Sequence, residues 1–331
     1  MLRCLFFTML SLFLSVSGLA HADTSFTKRE DVQSFINLIV KKHQFNRDSL
    51  VNLFDQVKYR AIVIRHVNQP LEANPWTTYQ RLFVNEWRIK NGVKFWNKHA
   101  ATLKKAEEIY GVPASIIVAT LGVETKYGER TGDYRVIDSL TSLGFSESPR
   151  APFFRKELVQ FLLLCREQHL NPLKVTGSYA GAIGMPQFIP SSYRYYAASF
   201  NKTDSIDLMN NTQDVIASIA NYYKQHGWTM HEPVAVLASV NETKYSKLPK
   251  FKKASQGLTI KGLEKFGVTT KTPVYNQQLK AKVIELVSNS NTEYWIAFHN
   301  FDVIKRYNPN DLYAMAVYQL SDDIKDLKDR K

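Results

Sequence analysis

The residue with the clearest capacity for chemistry is Glu124. It lies in the run Ile116-Ile117-Val118-Ala119-Thr120-Leu121-Gly122-Val123-Glu124-Thr125-Lys126-Tyr127-Gly128. At about 3.6 residues per turn, a helix here places Glu124 on one face with Ile117, Thr120 and Leu121. An ionised carboxyl on a mostly apolar face is costly, so the position predicts a raised pKa. A general acid working near neutral pH needs that property. A surface Glu at a helix end, or one paired with a buried cation, would look the same in the sequence and is the commoner case.

Acid-catalysed cleavage of a sugar bond usually needs a second carboxylate as nucleophile or base. The near candidates are Glu129, Asp133 and Asp138. Continued helix would turn Glu129 well away from the Glu124 face. The other two lie past Gly128 and Gly132, where a helix has run out. No convincing partner emerges, so a single-carboxylate mechanism fits better. Cys165 ends the apolar run Phe161-Leu162-Leu163-Leu164-Cys165 and reads as a buried core thiol, not a nucleophile. The eight His form no cluster with zinc spacing.

Helices must position Glu124. From Phe26 to about Val112 the spacing is helical, with a polar break between Ile64 and Trp76 that contains Pro70 and Pro75. One helix is expected from just after Pro75 toward Phe95-Trp96, another from Ala100 through Tyr110. The Glu124 helix runs from Pro113, in its first turn, to about Tyr127. Helices continue from Arg135 to Gln168. The Gly- and Pro-punctuated stretch from Gly177 to Pro190 reads as loops and short turns. A clean helix spans Asp214 to Gly227. The character then changes. Val234 to Val240, Ala281 to Val287 and Tyr294 to Phe298 read as strands separated by Lys-rich turns. Asn310 can cap a last helix carrying Leu312, Tyr313, Ala316, Val317 and Leu320.

The 331-residue chain carries 43 basic and 30 acidic residues, a formal charge of +13, which favours an anionic partner. Met1-Leu2-Arg3, the apolar Leu5 to Leu19 and the small-x-small Ala20-His21-Ala22 form the pattern of a secretory signal peptide cleaved after Ala22. The apolar run is short for a membrane span, and no Cys follows it for lipid attachment. The expectation is an exported periplasmic protein without stable membrane insertion. Export argues against nucleic acid as the partner and toward a bacterial wall polymer, whose muramyl peptides carry carboxylates.

Three strings then carry a resemblance. Gly122-Val123-Glu124-Thr125-Lys126-Tyr127-Gly128, the segment Gly177-Ser178-Tyr179-Ala180-Gly181-Ala182-Ile183-Gly184-Met185-Pro186-Gln187-Phe188-Ile189-Pro190-Ser191-Ser192-Tyr193, and Arg306-Tyr307-Asn308 resemble the lytic murein transglycosylase B family. They stand in the family's order and spacing, and the likeness covers roughly Pro75 to Leu320. It implies a mainly α, lysozyme-like (α+β) catalytic core with an additional helical region and a small inserted antiparallel β subdomain. The boundaries expected are 1–22 signal peptide, 23–112 N-terminal helical region, 113–228 catalytic core, 229–305 β subdomain and 306–331 C-terminal helix.

The resemblance also implies cleavage of the MurNAc–GlcNAc β-1,4 bond of peptidoglycan without water, leaving 1,6-anhydro ends. Glu124 matches the family's lone acid. Tyr79, Ser178, Gln187, Tyr222, Tyr307, Asn308 and Tyr313 match sugar-groove positions, and Arg150 a position near the peptide-bearing side. The glycan strand is the implied partner, with wall synthesis or remodelling proteins as further candidates. No cofactor is implied. Some relatives carry a calcium loop; the matching stretch, Ser199 to Asp207, has Ser199 for the leading Asp and Asp204 for the turn Gly, so no metal site is expected. The rival readings are a hydrolytic muramidase and a wall-binding protein without catalysis.

Overall fold

The computed structural model describes residues 26–67, 73–201 and 205–330; the expected signal peptide lies outside them. The chain forms two compact units that divide after Asp55. In the first, α1 (Glu30–His43) and α2 (Arg47–Phe54) are joined by a tight turn in which Asn46 accepts the Ser49 amide. Val32, Phe35, Ile36 and Ile39 recur at three- and four-residue intervals and are all buried, the expected period. The Phe35 and Phe54 rings meet edge-on at 6.1 Å.

The second unit opens with α3 (Ala61–Val67), α4 (Trp76–Phe83), α5 (Glu86–Lys98), α6 (Ala100–Tyr110) and α7 (Ala114–Thr125). The single helix expected from Pro75 toward Trp96 is in fact two. Asn85 causes the break: its side-chain oxygen accepts the Arg88 amide to start α5, and its side-chain nitrogen donates to the Arg81 and Leu82 carbonyls that end α4. Pro113 sits one residue before α7, in extended backbone, not in its first turn.

Every residue of α7 from Ala114 to Val123 is buried, so the helix is enclosed on all sides and has no single apolar face. It is packed by α5, α6, α11 (Thr212–Gln225) and α15 (Asp311–Asp329). Asn211 caps α11 and Asn310 caps α15, the latter as its sequence predicts. Between α7 and α11 run α8 (Val136–Gly144), α9 (Ala151–Glu167) and α10 (Pro190–Tyr196). Two short strands absent from the sequence reading, β1 (Tyr134–Arg135) and β2 (Thr176–Gly177), pair antiparallel there. Gly132 has φ +94°, and a Cβ on it would stand 2.2 Å from the Gly177 carbonyl oxygen. Cys165 is buried, and burial pushes its thiol up to about 12.

The Lys-rich region is an antiparallel sheet inserted between α11 and α15. Its strands are β3 (Ala235–Val240), β4 (Leu258–Thr259), β5 (Val268–Thr270), β6 (Lys280–Val287) and β7 (Thr292–Ala297), in the order β4-β6-β7-β3-β5. Short helices α12 (Glu242–Tyr245), α13 (Ile260–Glu264) and α14 (His299–Ile304) complete it. Ile260, Leu263, Val268 and Ile296 form its small core. One charge is buried there: Lys282 is 3% exposed, with its ammonium 2.8 Å from Asp302 Oδ1 and 3.0 Å from the Lys252 carbonyl.

Candidate active site

Glu124 stands half-buried in the last turn of α7. The chain reverses immediately afterwards. Lys126, Tyr127 and Gly128 all take left-handed backbone, and the Lys126 amide closes onto the Leu121 carbonyl. This reversal sends the Tyr127 ring back along the helix, where its hydroxyl donates to the Arg88 carbonyl at 2.6 Å. The ring has room because position 122 is glycine: a Cβ there would meet the Tyr127 hydroxyl at 2.5 Å. Thr125 secures the other side, donating to the Met185 carbonyl at 2.8 Å and accepting the Gly128 amide at 3.0 Å.

The Glu124 carboxyl is oriented by the start of α15, where the Tyr313 hydroxyl donates to Oε1 at 2.5 Å. Tyr313 belongs to a cluster of phenols. Its ring lies parallel to that of Tyr307 at 6.4 Å, and Tyr307 meets Tyr222 at 4.8 Å and Tyr223 at 5.6 Å. Each hydroxyl has its own partner: Tyr307 donates to the Pro186 carbonyl at 2.7 Å, Tyr222 to the Arg306 carbonyl at 2.6 Å, and Tyr223 shares a 2.8 Å bond with Thr120 Oγ1. Burial drives all four phenols well above the usual tyrosine range, and the Glu124 charge adds to the effect. They are therefore neutral donors with apolar faces.

Of the residues singled out in the sequence, this cluster gathers Glu124, Tyr222, Tyr307 and Tyr313. Gln187 lies in the same turn as Pro186, at φ +52°, with its amide donating to the Thr131 and Gly184 carbonyls at 3.0 and 2.9 Å. Ser178 Oγ accepts the Ala180 and Ala182 amides and thereby shapes the preceding loop. Asn308 is half-buried beside Tyr307 in the chain. The two others lie on α4 and at the start of α9. Tyr79 is 1% exposed and packs on Phe83, while Arg150 lies on the surface with its guanidinium over the Phe153 and Phe154 rings.

The three possible second carboxylates do not join Glu124. Asp138 is buried and held by Arg135 through two hydrogen bonds of 2.8 and 2.7 Å; Glu129 and Asp133 are exposed. A cleft of about 500 Å³ opens at Glu124, and Glu124 is the only carboxylate among the described residues that line it. Sequence reasoning gave no role to the basic side chains of that cleft, Arg81, Arg88, Lys126 and Arg130, nor to Tyr223 and Tyr127, which bond to Thr120 and to the Arg88 carbonyl. Helical spacing from Thr120 and Glu124 gave no sign of which tyrosine, a hundred residues on, would meet them. In the stretch that matches the relatives' calcium loop, Asp207 uses its carboxylate on the Met209 and Asn210 amides, and 202–204 lie outside the described residues. Among the described residues no group of three or more His, Cys, Asp or Glu could hold a metal ion.

Comparison with known proteins gives consistent matches. The model of the Transglycosylase SLT domain matches residues 27–322. The membrane-bound lytic murein transglycosylase B of Escherichia coli (strain K12) is 37% identical over 313 residues, 89% of this chain and 82% of that protein. The crystal structure of the soluble lytic transglycosylase SltB1 from Pseudomonas aeruginosa superimposes with a TM-score of 0.83 at 42% identity, covering 90% of this chain and 99% of that one. SltB3 from the same organism, solved in complex with NAG-NAM-pentapeptide, gives 0.79 at 25% identity, covering 89% and 79%.

Proposed function

The chain belongs to the transglycosylase SLT family, and from that premise we propose that it is a lytic transglycosylase that cuts the MurNAc–GlcNAc β-1,4 bond of peptidoglycan with Glu124 as its acid. The observation that carries the reading is the lone carboxyl of the cleft, gripped by the Tyr313 hydroxyl. Protonated Glu124 gives its proton to the glycosidic oxygen as the C1–O bond breaks and positive charge develops at the muramyl C1. The resulting Glu124 carboxylate then takes the proton of the muramyl 6-hydroxyl as O6 bonds to C1. A 1,6-anhydro ring results, Glu124 is protonated again, and no water is consumed. The absence of a second carboxylate from the lining residues supports this course over one needing a separate base or nucleophile.

The phenols serve binding in this reading. Flat, neutral rings with fixed hydroxyls suit the apolar faces of sugars. Gln187, Ser178 and Asn308 serve the same sugar from the turn and loop beside them, and Tyr79 and Arg150 are assigned to it on the family resemblance. We take 113–228 with 306–331 as the catalytic core and 229–305 as its insertion. The leader pattern at Met1 to Ala22 supports export to the periplasm. No single helix among the described residues is long and apolar enough to cross a membrane.

Mass spectrometry of muropeptides released from purified sacculi tests the reading. Wild type yields anhydro-muropeptides and Glu124→Gln yields none. Reducing MurNAc ends from the wild type would mean that water attacks C1 and the enzyme is a muramidase. Binding without cleavage by both proteins would leave a wall-binding module.

A further inference from the structure

The cations at Glu124 have no role in the reaction just described. Arg88, on α5, is 8% exposed, and its guanidinium meets only neutral groups: Nε donates to the Gly122 carbonyl at 2.9 Å, Nη1 donates to the Leu82 carbonyl, and the Phe83 ring lies 5.2 Å away. No carboxylate meets this buried charge among the described residues. Burying a cation without an acidic partner is costly, yet this one lines the Glu124 cleft. At the rim stand Arg81, at the end of α4, and Arg130, just past the Gly128 turn, both exposed. Neither side chain makes an ion pair or hydrogen bond among the described residues. Lys126 completes the set, with its ammonium 5.3 Å from the Trp87 ring.

The break between α4 and α5 sets this arrangement. Because Asn85 ends one helix and starts the next, Arg81 and Arg88 come from different helices and converge on the same cleft. Arg130 reaches it because the chain reverses after Glu124. Three guanidiniums from three segments, one of them buried, make a site whose chemistry asks for a planar anion; guanidinium pairs with carboxylate through two parallel hydrogen bonds.

We propose that Arg81, Arg88 and Arg130 form a carboxylate subsite that reads a peptide carboxylate on the muramyl residue held at Glu124. The inference rests on the reading of Glu124 as the centre of the glycan site. It makes the stem peptide a determinant of specificity, read in the same cleft as the reacting bond. An enzyme so equipped cuts strands whose peptides are charged faster than strands whose peptide carboxylates are masked.

The test uses the full chain and two substrates: peptidoglycan strands with native peptide carboxylates, and the same strands with those carboxylates converted to carboxamides. Charge-assisted hydrogen bonds of this kind correspond to roughly a tenfold preference or more. Wild type is expected to favour the carboxylate strands about tenfold in kcat/KM, mostly through KM. Arg81→Gln with Arg130→Gln, both at exposed positions that do not threaten folding, is expected to bring that ratio close to one. A wild type indifferent to amidation, or a double variant that keeps the preference, overturns the proposal. So does competition by inorganic phosphate against a background of equal cleavage of both strands, since the site would then take a free anion only. Binding of both strands to Glu124→Gln protein, with and without the arginine changes, separates this proposal from the catalytic one. If that variant still cleaves, the acid assignment falls, while the carboxylate preference in binding stands or falls by itself.

Discussion

Two basic hollows among the described residues are built from different materials. The one at Glu124 is lined by Arg81, Arg88 and Arg130 with Lys126, and has a volume of about 500 Å³. The other, on the inserted sheet, is larger at about 700 Å³ and is lined by Lys250, Lys252, Lys282 and Lys305. Residues 229–305 contain no arginine at all. In the sheet hollow the inner charges already have partners: Lys282 with Asp302 at 2.8 Å, Lys305 with Asp311 at 2.6 Å, and Glu285 with the Tyr245 hydroxyl at 2.7 Å. In the Glu124 cleft the guanidiniums meet carbonyls, rings or solvent. Matched charge holds a fold together, whereas unmatched charge in a cleft waits for a ligand. The larger hollow is the less chemical one.

The largest expected effect separates the two regions outright. Glu124→Gln should lower kcat by about a thousandfold, within the range for loss of a general acid, and leave the melting temperature within a degree or so of wild type. Turnover of purified sacculi and a thermal scan measure the two sides. The mirror experiment is Lys282→Met. It strands Asp302 and should destabilise the protein by about 3 kcal/mol, read by denaturant unfolding, while kcat per folded molecule is kept. Loss of turnover from folded Lys282→Met protein would break the division between scaffold and site.

Tyr313→Phe sharpens the comparison inside the site. Removing one hydrogen bond to a charged group should lower kcat roughly ten- to a hundredfold, or about 1.5–3 kcal/mol. The carboxylate also loses a donor that stabilises its ionised form, so the alkaline limb of the kcat–pH profile should move to higher pH. An unmoved limb would place Tyr313 among the packing residues.

The smallest effect concerns His226, which stacks on Tyr222 at 4.1 Å behind the phenols. Burial, helped by Arg306, holds its imidazole below the usual histidine range, although the Tyr222 carbonyl partly offsets this. The unfolded chain therefore takes the proton first as pH falls below about 6.5. His226 contributes stability that is full above that pH and is lost as pH falls through the folded-state value. The fall in melting temperature between pH 7.5 and pH 5.5 should be smaller in His226→Gln than in wild type. An equal fall would assign the acid sensitivity elsewhere.

Much of this was legible in the residues. The inserted sheet and the Asn310 cap follow from local pattern, because β-branched runs and capping side chains act within a few positions; for Glu124 the spacing gave only a carboxyl on an apolar helix, and the resemblance gave its role. The break at Asn85 was not legible. A helical period runs through it undisturbed, and only the double use of one side chain stops it. The enclosure of α7 was hidden for the opposite reason: a run of apolar residues does not reveal how many neighbours will cover it. Three of the four phenols were visible, but only through the resemblance. Resemblance to a family pointed to Tyr222, Tyr307 and Tyr313, but Tyr223 and Arg88 depend on contacts between distant segments that no local period encodes.

The bond between Tyr313 and Glu124 spans 189 residues, and the inserted sheet lies within that span. A chain emerging from its N-terminus presents the acid long before the hydroxyl that orients it. Until the last helix has docked on α7, the carboxyl lacks its hydrogen-bond donor. The hydrogen bond that orients the carboxyl is thus supplied by sequence far downstream of the helix that carries it, and forms later in synthesis than that helix.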